Sequence, residues 1–275
     1  MKTTISRLSE CWLGAVHQWT GAVFSIDTWM LILVLGGIDF AILQLPQRTR
    51  SPPTLLINDG IDAQYVTSPL LNNRNQNTVS SEALILITFA PIVVAVPLLA
   101  FRSHACAKAW LHCYICTQAW ETAIVEAIKR YVGYWRPHSM HSCGYNVTEG
   151  TCRTPYPDLF ASFPSGHSSD SVAAMVNVTL LLLGVFKVGS RPFRLQFDIS
   201  GNVTPVLDVR AFVISACLLP VAFALWVCAS RVHDMEHHPA DVVTGAVIGG
   251  ASAVFWYLVY FPSPFANHSN EPRFA

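Results

Sequence analysis

The segment 230–245, SRVHDMEHHPADVVTG, concentrates ionisable side chains in a chain of which only 12% is charged. His237 and Asp241 lie four residues apart, the spacing at which a carboxylate and an imidazole meet on one helix face. A carboxylate on one ring nitrogen fixes the tautomer and makes the other nitrogen a better nucleophile. Arg231 adds a planar fork of donors that suits phosphate oxygens. The segment therefore predicts a nucleophilic histidine beside an anion site.

Two alternatives remain open for this segment. A metal site built from His233, His237, His238 and Asp241 has suitable donor atoms, although their spacing is not that of a zinc site. A run of charges that only keeps a loop in water is the plainer alternative. Neither alternative accounts for the two other polar clusters in the chain.

The second cluster is KRYVGYWRP, in which Lys129 and Arg136 lie seven residues apart. Seven residues are nearly two helical turns, so both cations would project from one side and close on a single anion. Pro137 marks the expected end of that helix. Glu121 and Glu126 precede Lys129 on the same helix and are expected to pair with it. Basic residues that only anchor a helix at a membrane surface are the alternative.

The third cluster is PSGH, residues 164–167. The turn delivers the chain into a helix and aims backbone amides and the Ser165 hydroxyl at the positive helix end, where phosphate binds readily. His167 lies at the same point and can donate or accept a proton. Asp170 follows in the first turn and is interpreted as a helix-end stabiliser. A simple capped turn with an exposed histidine is the alternative.

Composition places these clusters in a membrane protein. Of 275 residues, 52% are hydrophobic, and the mean hydropathy is +0.40. Seventeen basic residues balance seventeen acidic ones, so nucleic acid is excluded as a partner. A bilayer core takes roughly 20 apolar residues of helix. Six such runs are present, at approximately 28–45, 83–101, 109–128, 168–186, 211–229 and 240–261.

The runs predict an integral, multi-pass membrane protein with one domain. Residues 1–27 are expected to form a cytosolic or interfacial segment, since Trp12, Val16, Trp19 and Val23 recur at helical spacing. Residues 28–261 would form the six-helix membrane domain. Residues 262–275 would be a cytosolic tail.

Six crossings place the loop 129–167 and the segment 230–245 on one side of the membrane. That loop contains CGYNVTEGTC, in which Asn146 begins an N-glycosylation sequon between Cys143 and Cys152. Both features favour an exoplasmic face. A disulfide between the two cysteines is expected, with two free thiols as the alternative. All three clusters would then share the exoplasmic side, an arrangement that suits attack on a phosphoryl group.

The three motifs resemble the type-2 phosphatidic acid phosphatase superfamily and, within it, the integral-membrane lipid phosphate phosphatases. The shared pattern is Lys129 to Pro137, then Pro164 to His167, then Ser230-Arg231 with His237 and Asp241. The resemblance implies an all-α fold with six transmembrane helices and the helical-bundle core of that superfamily. Many relatives carry an additional arginine where this chain has Tyr134-Trp135, which leaves the headgroup preference open.

The resemblance also implies roles for the residues. His237 would form a phosphohistidine, Asp241 would orient it, and His167 would protonate the leaving alkoxide. The phosphoryl oxygens would be held by Lys129, Arg136, Ser165, Gly166 and Arg231. No metal or other cofactor is expected, because these cations take its place.

The implied activity is hydrolysis of lipid phosphates: phosphatidate, lysophosphatidate, sphingoid-base phosphate or lipid diphosphates. Membrane lipids are the expected partners, and assembly as a homo-oligomer is left open. A sugar-phosphate phosphatase or phosphotransferase with the same catalytic set is an alternative. A non-catalytic lipid-binding scaffold is another, although such relatives typically lose the nucleophile or a phosphate ligand.

Overall fold

The computed structural model describes residues 20–21, 25–50, 76–146, 151–190, 192–196 and 206–274. The N-terminal positions predicted to form an interfacial helix lie outside these ranges. The helices are α1 (Ile26–Leu43), α2 (Ser81–Ala100), α3 (His104–Val132), α4 (Ser139–Ser142), α5 (Gly166–Val185), α6 (Arg210–Cys217), α7 (Leu219–His233) and α8 (Pro239–Tyr260). The strand pairs are β1 (Tyr145–Asn146) with β2 (Thr151–Cys152) and β3 (Arg194–Gln196) with β4 (Val206–Asp208).

Within the described ranges, five helical stretches are long and apolar enough to cross a membrane. They are α1, α2, α5, the continuous pair α6–α7, and α8. The prediction of a mostly helical membrane protein is confirmed. The predicted span 109–128 falls inside α3, whose composition is too polar for that group of five. The sixth crossing therefore stays a prediction, and the short strands were not foreseen.

Helices α1 and α3 run in the same direction. At their starts, Asp27 pairs with Lys108, and the Thr28 hydroxyl lies 2.7 Å from Nε2 of His112. At their far ends, the Arg48 amide donates to the carbonyl of Arg130 over 2.8 Å. Parallel helices joined through an antiparallel α2 fit three successive crossings of one bilayer.

Helix α5 lies at the centre of the bundle. In its most apolar stretch 61% of the residues are buried, against 33% or less in the other four. Two glycines on α8 allow the backbones of α5 and α8 to touch. A Cβ at Gly245 would lie 2.3 Å from the Ser165 carbonyl oxygen, and one at Gly249 would lie 2.2 Å from that of Ser169. Small residues four apart permit such close packing of membrane helices.

Helix α3 ends earlier than expected. Gly133 adopts a left-handed conformation, with φ of 58°, and caps the helix after Val132. A side chain there would meet the carbonyl oxygen of Arg48 at 1.9 Å, so only glycine fits. Arg136 therefore lies beyond the helix. The expectation that Lys129 and Arg136 project from one helix side is wrong, because the chain turns between them.

The chain between α3 and α5 forms a small folded lobe. Trp135 packs edge-on against Phe160, with ring centroids 4.7 Å apart, and the Arg136 amide donates to the Leu159 carbonyl. A disulfide joins Cys143 to Cys152. Because the lobe is fixed at both ends and cross-linked in the middle, it holds Arg136 above the start of α5.

Candidate active site

His237 lies in the short connection between α7 and α8, and its side chain is 3% exposed. Its Nδ1 is 2.7 Å from the Ser162 carbonyl oxygen. A carbonyl oxygen only accepts, so Nδ1 carries the hydrogen and donates it. Nε2 therefore keeps its lone pair, which is the state a nucleophilic imidazole needs.

Asp241 holds this arrangement indirectly. Because α8 begins at Pro239, His237 precedes the helix, and the predicted pairing of its imidazole with Asp241 is a long one. Oδ2 of Asp241 lies 3.9 Å from Nδ1 of His237. It accepts instead from the Ser162 hydroxyl at 2.5 Å and from the His238 amide at 2.9 Å. Ser162 is thus a site residue that no motif spacing indicated.

His167 lies in the first turn of α5, and its Nε2 is buried without a hydrogen-bond partner among the described residues. Four groups are close enough to act on it electrostatically, namely Arg231, His237, Arg136 and Lys129. Residues from the three sequence clusters are thus brought together around one imidazole. Its unsatisfied ring nitrogen can exchange a proton with whatever enters that space.

The PSGH turn forms a cradle at the start of α5. Ser165 caps the helix, and its buried hydroxyl accepts from the Ser168 hydroxyl at 3.0 Å, which leaves the Ser165 hydrogen available to donate. A Cβ at Gly166 would lie 2.9 Å from Nζ of Lys129. The ammonium group therefore lies directly over the glycine at the positive end of the helix, where phosphate binds well.

Of the two predicted partners of Lys129, the structure shows one. Glu126 lies 2.5 Å from its Nζ. Glu121 is fully buried and accepts from the hydroxyls of Ser169 and Thr122 instead. The helix twist explains the difference, because Glu126 is one turn from the lysine and Glu121 is more than two turns away.

Arg136 is held by two acids that the sequence did not point to. Its Nη1 lies 2.8 Å from Glu236, and its Nη2 lies 2.8 Å from Asp158. Nε also donates to the Asp158 carbonyl. These bonds fix the guanidinium in position while one Nη2 hydrogen has no partner among the described residues. That N–H group can donate a hydrogen bond to an anion.

Arg231 is 1% exposed and is clamped by Asp234, whose Oδ2 lies 2.7 Å from Nη2. Asp234 also accepts from the amide and the hydroxyl of Thr78, at 2.8 and 2.7 Å. Burial acts to raise the pKa of Asp234, but its bonds to His233 and Thr78 and the charge of Arg231 lower it overall. The ionised aspartate therefore keeps Arg231 in place from the α7 side.

The environment of His237 favours its neutral form. Burial lowers its pKa to about 4, and the charges of Arg136 and Lys129 act in the same direction, while Asp241 opposes them. At neutral pH the imidazole is therefore unprotonated. That is the form in which Nε2 can attack an electrophile.

The donors proposed for a metal site face different partners. His233 is 76% exposed and bonds to Asp234, while Nε2 of His238 lies 3.1 Å from the Trp135 carbonyl oxygen. Across the ranges that the structure describes, no group of three or more His, Cys, Asp or Glu side chains could hold a metal ion.

The position where many relatives carry another arginine is aromatic here. The ring of Tyr134 lies against the ring of His238, with centroids 5.2 Å apart. The guanidinium carbon of Arg50 lies 5.9 Å from the centroid of the same Tyr134 ring. Trp135 donates to the Arg50 carbonyl. A cation from the chain that follows α1 therefore approaches the position where the motif has no additional arginine.

Comparison with known proteins identifies the family of the chain. The PAP2 superfamily model matches residues 109–264, more than half of the chain, and the chain belongs to that superfamily. "Lipid phosphate phosphatase 2" of Arabidopsis thaliana is 36% identical over 153 residues, 52% of this chain and 47% of the relative. "Probable lipid phosphate phosphatase 4" of the same plant is 26% identical over 94% of this chain and 79% of the relative.

A third relative carries a different substrate in its name. "Probable diacylglycerol pyrophosphate phosphatase 1" of Schizosaccharomyces pombe is 31% identical over 54% of this chain and 51% of its own length. The aligned region thus covers about half of two of these three relatives. No solved structure matches the chain significantly. The predicted family is confirmed, while the roles of individual residues stay predictions.

Proposed function

We propose that this chain is a membrane phosphatase that hydrolyses lipid phosphate monoesters through a phosphohistidine on His237, without a metal ion. The observation that carries the proposal is the fixed tautomer of His237, whose ring is acted on by the charges of Arg136 and Lys129, two of the cations that also act on His167 with its unsatisfied Nε2. The names of the relatives support lipid phosphates as the substrate class.

In the first step, Nε2 of His237 attacks phosphorus and the bond from phosphorus to the lipid oxygen breaks. His167 donates a proton to the departing alkoxide, which is a poor leaving group without an acid. The Gly166 amide, Lys129 and Arg136 stabilise charge on the phosphoryl oxygens. The Ser162 carbonyl and Asp241 stabilise the positive ring of His237 that forms.

In the second step, a water molecule attacks the phosphohistidine and His167 accepts its proton. The bond between nitrogen and phosphorus breaks, and inorganic phosphate leaves. Oδ1 of Asp241 is buried without a partner among the described residues. Catalytic hydrogen bonds are often long in empty sites and shorten when substrate binds. A small movement of the ring would let Asp241 bond to it directly.

We place this site on the exoplasmic face, with α3 as the sixth crossing. Helix α3 has 29 residues, about 43 Å of helix, which exceeds a bilayer core of about 30 Å. The disulfide between Cys143 and Cys152 and the sequon at Asn146 fit an oxidising compartment. In a eukaryotic host, deglycosylation should increase the gel mobility of the wild type and not that of Asn146→Gln. Wild-type mobility that glycosidase leaves unchanged would count against this topology.

The mechanism is tested by phosphate release from a lipid panel in detergent with excess chelator. The panel includes phosphatidate, lysophosphatidate, a sphingoid-base phosphate, a diacylglycerol diphosphate and glucose 6-phosphate. We expect wild type to hydrolyse lipids, His237→Asn to be inactive, and the adjacent His238→Asn to retain activity. A 32P-labelled substrate should leave acid-labile, alkali-stable label on wild type only. Equal rates in wild type and His237→Asn would overturn the proposal.

A further inference from the structure

Two exposed arginines, Arg48 and Arg50, lie beside the folded lobe, on the short segment that follows α1. Neither of them forms an ion pair with an acid among the residues that the structure describes. The three cations that the resemblance assigns to the phosphoryl oxygens differ in this respect, because each of them has an acid partner. The segment therefore adds positive charge that no acid balances within the described ranges.

Contacts with the backbone fix this segment against the end of α3. The Arg48 amide donates to the Arg130 carbonyl over 2.8 Å, and the Trp135 indole donates to the Arg50 carbonyl over 3.0 Å. The Arg48 carbonyl also occupies the space that a side chain at Gly133 would need. Because the backbone is held on both sides of the turn that follows α3, the two arginine side chains start from fixed positions.

Each guanidinium lies over an exposed tyrosine ring. The distance from the guanidinium carbon to the ring centroid is 6.0 Å for Arg48 and Tyr131 and 5.9 Å for Arg50 and Tyr134. Nε of Arg50 also donates to the Val132 carbonyl over 2.8 Å. The other N–H groups of Arg50 have no hydrogen-bond partner in the part of the chain that the structure describes. They can donate to an anion, since a guanidinium only donates.

Arg50 is connected to the proposed nucleophile through Tyr134. The Tyr134 carbonyl accepts from the Ser162 amide at 3.0 Å, and the Ser162 carbonyl accepts from Nδ1 of His237 at 2.7 Å. The ring of Tyr134 also lies against the ring of His238, the next residue after the nucleophile. Arg50 therefore lies at the edge of the proposed site, with two aromatic rings between its charge and the segment that carries His237.

Membrane anchoring is the plainer explanation for basic residues at such a position. Basic side chains that anchor a helix extend along its surface to reach the headgroups. Here α1 ends at Leu43, and the two guanidinium groups lie over rings that belong to α3 and to the lobe. Lys and Arg are also typical of the cytoplasmic side of a membrane protein, whereas we place this lobe on the exoplasmic side. Anchoring and orientation therefore do not account for them.

We infer that Arg48 and Arg50 bind the anionic headgroup of a lipid phosphate at the membrane surface, before its phosphoryl group enters the cradle. The inference rests on the proposed function and adds two substrate-binding residues to it. Positive charge beside a cleft raises the local concentration of an anionic substrate and its rate of association. Because both arginines are exposed, dissolved salt screens their charge.

The test measures kcat and KM for phosphatidate at a fixed mole fraction in uncharged detergent micelles. The enzymes are wild type, Arg48→Gln, Arg50→Gln, the double variant and the control Arg153→Gln. Arg153 is a matched control, because it is exposed on the same lobe, next to the disulfide-bonded Cys152, and has no ring contact among the described residues. Each enzyme is assayed at about 0.01 M and about 1 M salt, where charges are screened over about 30 Å and about 3 Å.

At low salt we expect kcat/KM to fall about fivefold for each arginine replaced, with kcat unchanged, because an exposed charge acts on association. At high salt the double variant and wild type should agree within about twofold. Arg153→Gln should keep the wild-type kcat/KM and its salt dependence. Thermal unfolding midpoints equal to that of wild type establish that each variant is folded.

Inhibition by inorganic phosphate distinguishes a lipid headgroup from free phosphate. Free phosphate binds in the cradle, so its inhibition constant should stay within about twofold of wild type in the double variant. A rise in that constant equal to the rise in KM would overturn the inference. So would a loss of kcat, or a salt dependence of the double variant equal to that of wild type, and the phosphatase would remain. Failure of wild type to hydrolyse any lipid phosphate would overturn the proposed function and this inference together.

Discussion

The Nδ1 of His237 donates its hydrogen bond to the backbone carbonyl of Ser162, 2.7 Å away. A main-chain acceptor cannot be removed by substitution and cannot be protonated near neutral pH. The tautomer of the nucleophile therefore depends on the conformation of the chain before α5. Asp241, the carboxylate that the motif pairs with this histidine, supports the same bond indirectly, because it accepts a hydrogen bond from the Ser162 hydroxyl.

The first prediction concerns the hydrogen bonds that connect His237, Ser162 and Asp241. Where an aspartate alone holds a catalytic histidine, its removal costs about 10⁴-fold in kcat. Here Asp241→Asn should cost only about 10- to 100-fold, because the carbonyl remains. Ser162→Ala should fall in the same range, and the double variant should be no worse than the poorer single one, because both act through one network. Steady-state kcat measurements check this, and strictly multiplicative losses would contradict it.

The second prediction compares the two acids that hold Arg136. The pair with Glu236 is buried, since that side chain is 5% exposed, whereas the pair with Asp158 is open, since Asp158 is 60% exposed. Loss of a buried partner leaves an uncompensated charge, and loss of an exposed one costs little. Glu236→Gln should lower kcat/KM by about 100-fold, and Asp158→Asn by less than about fivefold. A larger loss of kcat/KM in Asp158→Asn than in Glu236→Gln would show that Glu236 does not position Arg136.

The third prediction concerns pH and stability. Above pH 6.5, His237 is neutral in both the folded and the unfolded chain, so its titration has no effect. As the pH falls from 6.5 towards about 4, the unfolded chain binds a proton that the folded chain excludes, and the folded state loses about 3 kcal/mol. Denaturation in detergent from pH 7.5 to 4 should therefore show wild type losing stability relative to His237→Gln. A constant difference between the two would refute the pKa shift.

A fourth prediction follows from the contact between Gly166 and Lys129. The methyl group of Gly166→Ala would meet the flexible end of the lysine, so the fold survives while the ammonium group moves off the cradle. Loss of one such donor typically costs about 10² to 10³ in kcat. Gly250→Ala is the control, because its methyl group meets only Val172 at an ordinary 3.6 Å. Full activity in Gly166→Ala would show that the contact between Lys129 and Gly166 does not contribute to catalysis.

The fifth prediction uses neighbouring glycines on α8. Gly249→Ala places a methyl group 2.2 Å from the Ser169 carbonyl oxygen, so α5 and α8 must separate, at a cost of about 1–3 kcal/mol or more. Gly250→Ala should instead stabilise the helix, by up to about 1 kcal/mol. Thermal unfolding midpoints should therefore shift in opposite directions. Equal shifts would mean that the two backbones do not touch in solution.

Much of this molecule follows from local pattern. Long apolar runs predict helices, and the spacing from Arg231 through His237 to Asp241 picks out the buried histidine of that segment rather than the exposed His233. The features that the sequence did not predict share a cause. Gly133 ends α3 before Arg136 because the chain after α1 occupies the space of a side chain, and Thr78 reaches Asp234 across 156 positions of sequence. No short-range spacing records contacts that only the tertiary fold creates.

The touching backbones of α5 and α8 have an evolutionary consequence. They join the helix that carries the proposed acid to the helix that follows the proposed nucleophile, and at Gly245 and Gly249 any added side chain collides with the backbone. Diversification towards new lipids must then proceed elsewhere, on α1, α2 and the facing side of α3. A chimera that exchanges only those helices between relatives should keep the catalytic activity of the recipient and acquire the substrate preference of the donor.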